Sequence, residues 1–193
     1  MQNSGYTAAV SLTDADLHLL RALLHTQRLA ALATLHRGEP SVSMVPFVLL
    51  PQCGSAVVHV SRLATHTKDM LEQPAVALLL VADAQVAEPP AAQAQASAEL
   101  PSGGETQDAH NPLARPRLSL KGRALPCPPC PPDAPRYAAA RAAYLERLPD
   151  ALELFSFPDF ALFLIEPVSA RFVAGFGRAH SLTVERWRAA LAG

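Results

Sequence analysis

The strongest constraint on this chain is a succession of strand-length apolar runs separated by turns, without the strand–helix alternation that builds a parallel sheet. LAALATL (29–35) passes through HRGEP into SVSMVPFVLL (41–50), the pattern of a hairpin, and PQCG then leads to SAVVHVS (55–61). AVALLLVA (75–82), RLSLKGRAL (117–125), DFALFLIEP (159–167) and ARFVAGF (170–176) supply the remaining runs. AVALLLVA is apolar on both faces, which predicts a central strand covered on both sides. Helical spacing predicts four helices around these strands. One follows Thr13, a capping residue backed by Asp16, with Leu17, Leu20 and Leu24 on one face and Arg28 near its end. A short one covers 65–72, and another spans 135–148, with Pro135 in its first turn and Tyr137, Ala140, Tyr144 and Leu148 as its stripe. The last follows Thr183 and ends near Leu191. Antiparallel strands joined by turns, with helices left outside, predict a mainly β (α+β) barrel with peripheral helices.

Composition narrows the function classes. Half of the 193 residues are apolar and 17% are charged, which gives a globular chain of one domain, 1–193. A formal net charge of −1 excludes a general nucleic-acid binder, which needs a basic surplus. No apolar run reaches the roughly 18–20 residues that cross a bilayer, so no membrane partner is expected. The N-terminus lacks a basic flank before an apolar stretch, and three cysteines leave at least one unpaired in a monomer. Both features suit a reducing cytoplasm. Residues 84–111 carry no aromatic side chain and are rich in Ala, Gln, Pro, Ser and Gly. That composition cannot offset its ordering entropy, so a flexible insertion within the domain, at about 84–116, is expected.

The densest chemistry lies in HVSRLATHTKDM (59–70), where a strand gives way to a helix. A helix starting near Thr65 presents unpaired N–H groups and the positive end of its dipole. Ser61, Thr65 and Thr67 add hydroxyls, and Arg62, His66 and Lys68 add positive charge. Together these groups suit a phosphate, because charge-assisted bonds to it are roughly twice as strong as neutral ones. The same residues also read as a capped, solvated surface helix.

The order RLAALATL, SVSMVPF, VVHVSRLATHTKDMLEQPAVALLL, RLSLKGRA, FALFLIEPVSARFVAGFGRAHSL resembles the pyridoxamine phosphate oxidase-like split-barrel flavoproteins, and most of all their haem-utilisation branch. The resemblance implies a six-stranded antiparallel split barrel that forms a homodimer, with flavin mononucleotide (FMN) in a groove at the interface. It implies that Ser61, Arg62, His66, Thr67 and Lys68 hold the phosphate. Ser43, Met44, Val45 and Pro46 would line the ring or ribityl chain, and Lys121 is a further candidate. A flavin so held points to an FMN-dependent oxidoreductase acting on a small-molecule substrate, since the cofactor carries the redox chemistry. No residue pattern identifies an acid or base, so no catalytic residue is assigned. The chain ends in WRAALAG where pyridoxamine phosphate oxidase ends in Arg-Leu-Ala-Pro, which argues against vitamin B6 oxidation. The haem-utilisation branch implies the alternative, a haem-binding or haem-degrading protein with His180 of GFGRAHSL as iron ligand. A barrel retained as a non-catalytic binding module is the third expectation.

Other conspicuous residues read as structural. Cys127 and Cys130 form a single CPPC followed by Pro131 and Pro132, which suits a stiff connector better than a zinc or redox site. Cys53 sits in a turn without an evident partner. His18 and His25 lie seven apart on the first helix, as surface residues. His59 is expected to be structural. Phe155, Phe157, Phe160 and Phe163 are expected in the core or at a subunit contact, and Trp187 against a partner subunit.

Overall fold

The structure, a computed structural model, describes residues 12–83 and 112–192. The segment 84–111, expected as an insertion, lies outside the described residues. The strands are β1 (Leu29–His36), β2 (Glu39–Leu50), β3 (Ser55–Ser61), β4 (Ala75–Val81), β5 (Arg117–Pro126), β6 (Phe160–Gly175) and β7 (Arg178–Leu182). The helices are α1 (Asp14–Thr26), α2 (Thr65–Glu72), α3 (Ala134–Arg147) and α4 (Val184–Leu191). Their extents follow the sequence periodicity closely. A 3-10 segment at Pro149–Ser156 carries no comparable signal.

The sheet order is β3-β2-β1-β4-β5-β6-β7, every neighbouring pair is antiparallel, and β3 also pairs with β6. The β3–β6 pairing closes a six-stranded barrel and leaves β7 as an appendage of β6. The two runs expected at 159–167 and 170–176 are one strand, because Glu166–Ser169 keeps extended backbone through a register shift opposite Lys121 and Gly122. Gly122 permits that crossing: a Cβ there would stand 2.6 Å from the Glu166 carbonyl oxygen. The following strand, β7, was not expected. It contains His180, which therefore lies within the sheet.

Alternation of side chains divides the wall into two faces. The inward face joins Ala30, Leu32, Val45, Phe47, Val58, Leu78, Leu118, Leu120, Phe163 and Ile165 into the main core. Leu20 and Leu23 of α1 and Met70 of α2 also belong to it. A second cluster lies outside the wall, where Ala140 and Tyr144 of α3 pack on Val48, Val57, Leu162 and Leu164. The Arg147 guanidinium at the end of α3 donates to the carbonyls of Leu24, His25 and Gln27, so α3 satisfies the orphan acceptors at the end of α1. Arg28 was expected to complement that terminus, and Arg147 does it from across the fold.

β4 corrects an expectation. It is central in hydrogen bonding, yet Leu79 and Val81 on its outer side are 42% and 39% exposed. The apolar pattern on both faces marks a surface that the described residues leave uncovered. Among them, no helix is long and apolar enough to cross a membrane.

Trp187 also departs from expectation, since it is fully buried in its own chain and its Nε1 donates to the Gly54 carbonyl at 2.8 Å. Gly54 has φ +72, and an added Cβ would meet that same Nε1 at 2.8 Å. Left-handed backbone and a steric clash therefore both select glycine. His59, expected to be structural, is buried under α3. Its ring stacks on Phe155 with centroids 3.9 Å apart, and Tyr144 and Phe160 complete the enclosure. Burial, reinforced by the nearby Arg141 charge, lowers the imidazole pKa to about 4.

Two predictions concern stability. Gly54→Ala lowers stability by at least about 2 kcal/mol, read as a lower urea midpoint at unchanged slope. A smaller loss would mean that the Trp187 contact is slack. For His59, the unfolded chain binds the proton more readily than the native one. Its contribution is complete above the ordinary value of 6.5 and is lost as pH falls towards about 4. The loss is on the order of 3 kcal/mol, and His59→Phe removes that part of the slope between pH 7 and 4. Identical slopes for the two proteins would exclude the effect.

Candidate functional site

The strand-to-helix junction after β3 is held from below. On α2, Asp69 and Met70 face the barrel mouth and are buried. The Thr34 hydroxyl donates to the Asp69 carboxylate at 2.8 Å, and His36 Nδ1 lies 2.8 Å from its other oxygen. Burial would push the carboxyl up, but the hydrogen bonds from His36 and Thr34 outweigh it and leave the group below its ordinary range. α2 is thereby fastened to β1. Thr67, also buried, donates its hydroxyl to the Ser61 carbonyl at 2.6 Å and fixes the helix start against the strand end.

The N-cap of α2 is Ala64, which has no side-chain acceptor for the first N–H groups. Arg62, Thr65 and Lys68 are exposed around this terminus, and neither cation forms an ion pair among the described residues. The other members of the expected phosphate set are engaged within the chain. Ser61 Oγ donates to the Asp159 carboxylate at 3.2 Å and accepts from the Leu63 N–H. His66 Nδ1 faces Ser43 Oγ at 3.2 Å. Burial lowers the His66 imidazole pKa, with Asp69 pulling the other way, so burial disfavours the charged ring. The junction therefore offers Arg62, Lys68, the Thr65 hydroxyl and open amides. Thr67 is spent within the chain, its N–H on the Ala64 carbonyl and its hydroxyl on the Ser61 carbonyl, and Asp159 places an acid beside the seat.

The strand segment 43–46 splits between the two faces of the sheet. Val45 is core, 2% exposed, and Ser43 points to the barrel mouth beside His66. Met44 and Pro46 point outward, Met44 being 63% exposed. The register sets Met44 and Leu79 on either side of Ala31, and Val42 and Ala77 on either side of Ala33. This makes an apolar outer face across β2, β1 and β4, with Val42 itself 68% exposed. Lys121 is exposed next to Ala77 at the edge of that face. Sequence reasoning named Met44, Pro46 and Lys121 of this face as flavin candidates and missed Val42 and Leu79. The signal for the face was the two-sided apolar pattern of β4.

His180 occupies the other side of the wall. It is 4% exposed, and its Nε2 lies 3.0 Å from the buried Asp16 carboxylate, whose other oxygen accepts from Arg178 at 2.8 Å. Asp16, expected as a capping residue, instead ties α1 to β7, while Thr13 caps the helix through the Asp16 N–H. The cysteines are all free thiols. Cys127 is buried, which pushes its thiol up, and Cys130 is exposed on the proline-rich connector. No cluster of three or more His, Cys, Asp or Glu suited to a metal exists among the described residues.

Known proteins resemble this chain in sequence and in fold. A chloroplastic non-canonical haem oxygenase, HOZ, of Arabidopsis thaliana is 31% identical over 144 residues, which is 75% of this chain and 35% of that protein. A haem-binding protein from Mycobacterium smegmatis superposes with a TM-score of 0.66 at 27% identity, covering 90% of this chain and 60% of that one. This chain thus spans about a third of the plant relative and well over half of the mycobacterial one. The Vibrio cholerae haem storage protein HutZ, at 22% identity and TM-score 0.55, covers 77% of this chain and 87% of its own and shares the fold. The family model for pyridoxamine 5'-phosphate oxidase matches residues 18–174, from the middle of α1 to the end of β6, which includes every strand of the closed barrel. A match over that span, on a barrel of this topology, makes the chain a member of the pyridoxamine 5'-phosphate oxidase family.

Proposed function

We propose that this chain binds haem on the outward apolar face of β1, β2 and β4, as a homodimer whose second copy covers the rest of that face. The observation that carries the reading is the uncovered row Val42, Met44 and Leu79, which are 68%, 63% and 42% exposed. A contiguous apolar patch of this kind marks an interaction surface, and a tetrapyrrole is a broad apolar plate. Support for haem over other flat ligands comes from the two relatives at 31% and 27% identity, one a haem oxygenase and the other a haem-binding protein. Bound haem would supply a redox-active iron. The protein would supply apolar contact, exclusion of water and a fixed orientation.

His180 has a structural part in this reading, because its imidazole is buried against Asp16. Haemin titration of the purified protein gives a saturable Soret shift, and Met44→Glu with Leu79→Glu abolishes both the shift and the dimer. A protein that gives no saturable shift is not a haem binder. His180→Ala keeps the Soret band and costs about 2–3 kcal/mol of stability, since the Asp16 carboxylate loses a buried partner. Loss of the band in a folded His180→Ala protein would return that histidine to the iron.

FMN is the second reading, supported by the two unpaired cations at the uncapped start of α2. The phosphate would take Arg62, Lys68, the Thr65 hydroxyl and the open amides, and the protein would then act as an FMN-dependent oxidoreductase. Under this reading, Arg62→Ala with Lys68→Ala weakens FMN at least about tenfold while riboflavin binding is unchanged, because each charge-assisted bond contributes about 1.5–3 kcal/mol. Equal losses for the two ligands would remove the clamp from consideration.

A further inference from the structure

Beyond the apolar face, the outer side of the sheet continues across β4, β5, β6 and β7 as a groove of about 600 Å³. Its floor includes Leu79, Val173 and Ala179, and its positive groups are Arg117, Arg171 and Arg178. Among the described residues no Asp or Glu lines it. Arg178 is committed to Asp16 at 2.8 Å. The other two guanidiniums are held, among the described residues, only by neutral groups. Arg117 reaches the carbonyls of Leu113 and Arg115 at 3.4 Å, and Arg171 reaches Ser181 Oγ at 3.4 Å. In register, Arg171 faces Ser119 and Arg117 faces Val173, so the two arginines are diagonal neighbours on one face, roughly 7–8 Å apart at the backbone.

Two like charges on neighbouring strands, over an apolar floor and without a carboxylate among the described lining residues, repel one another, and an anion lying between them offsets that repulsion. At one end of the groove stands Phe176, 80% exposed at the tip of the β6–β7 hairpin. The hairpin turns through Gly177 at φ +74. An exposed aromatic ring, an apolar floor and two forked donors match one ligand chemistry: a flat apolar body with carboxylates on its edge. The groove shares Leu79 with the apolar face already described. It is remote from the α2 terminus. Ser61 pairs with Phe160 at the start of β6, whereas Arg117 pairs with Val173, which is roughly 40 Å further along that strand.

We propose that the β4–β7 groove is the carboxylate-recognition subsite for a tetrapyrrole, with Arg117 and Arg171 binding its propionates and Phe176 covering the edge of the ring. This assignment rests on the haem reading above and gives that reading its polar anchor. The anchor is distinct from Arg62 and Lys68.

The test uses the full chain and three probes: haemin, metal-free protoporphyrin IX, and protoporphyrin IX dimethyl ester, which keeps the ring and lacks the carboxylates. Arg117→Gln, at a half-buried position, with Arg171→Gln, at an exposed one, weakens haemin and protoporphyrin IX at least tenfold and leaves the ester unchanged. Arg123→Gln, an exposed cation at the other end of β5, leaves all three unchanged. Full-strength binding of the two acids by a folded Arg117/Arg171 double variant overturns the groove assignment and leaves the haem reading standing. An equal loss for acid and ester also overturns it, since the arginines would then act on the fold. If the unaltered protein binds neither acid, both proposals fall.

Discussion

The structure depends on one long strand that serves three partners. β6 pairs with β3 through residues 160–165, with β5 through 163–173 and with β7 through 170–175. Closing a barrel forces its strands to tilt and stagger, and a strand shared in this way has to bend. The bend is provided by the register shift at Lys121 and Gly122, where the missing Cβ lets β5 approach the Glu166 carbonyl. Without closure, β3 and β6 would be open edges and the inward side chains would have no common core. The ends of the same strand also set the two candidate anion sites apart, with the α2 terminus near Phe160 and the arginine groove near Val173.

Closure fills the inside, and the helices then treat the outside unequally. α3 and the 3-10 segment cover the β2–β3–β6 side, where His59, Tyr144 and Phe155 form a dry aromatic contact. α1 and α4 close the region around Trp187 and Asp16. Among the described residues no helix covers the outer β1–β2–β4 side, although its residues are apolar. An apolar sheet that the described residues leave open, beside Arg117 and Arg171 without a carboxylate partner among them, differs from an ordinary solvated surface in both composition and charge.

The α2 junction shows how one motif can carry two jobs. Asp69, Thr67 and Ser61 are spent on fastening the helix to β1 and β3, so much of the polarity in SRLATHTKD is structural. What faces solvent is a smaller set, with Arg62 and Lys68 as its charges. Residue type alone cannot distinguish a hydroxyl that waits for a ligand from one that donates to a carbonyl six residues back.

The sequence by itself determined the elements and their class. Period-2 runs, turn residues and caps depend on local sterics and local hydrogen bonds, so β1 to β5, α2 and the Thr13 and Thr183 caps were legible before any fold was known, whereas the continuity of β6 and the existence of β7 were not. The motifs with their spacing were enough to point to the family. Tertiary structure alone decided which partner each polar group takes: Asp16 with His180 and Arg178, Arg147 with the end of α1, Trp187 with Gly54. It alone decided that the outer side of β4 is left bare by the described residues, and that Arg117 and Arg171, 54 positions apart in the chain, lie side by side. Those pairings span 54 residues or more. They exist only once closure has fixed the register, because no local interaction encodes a contact at that separation.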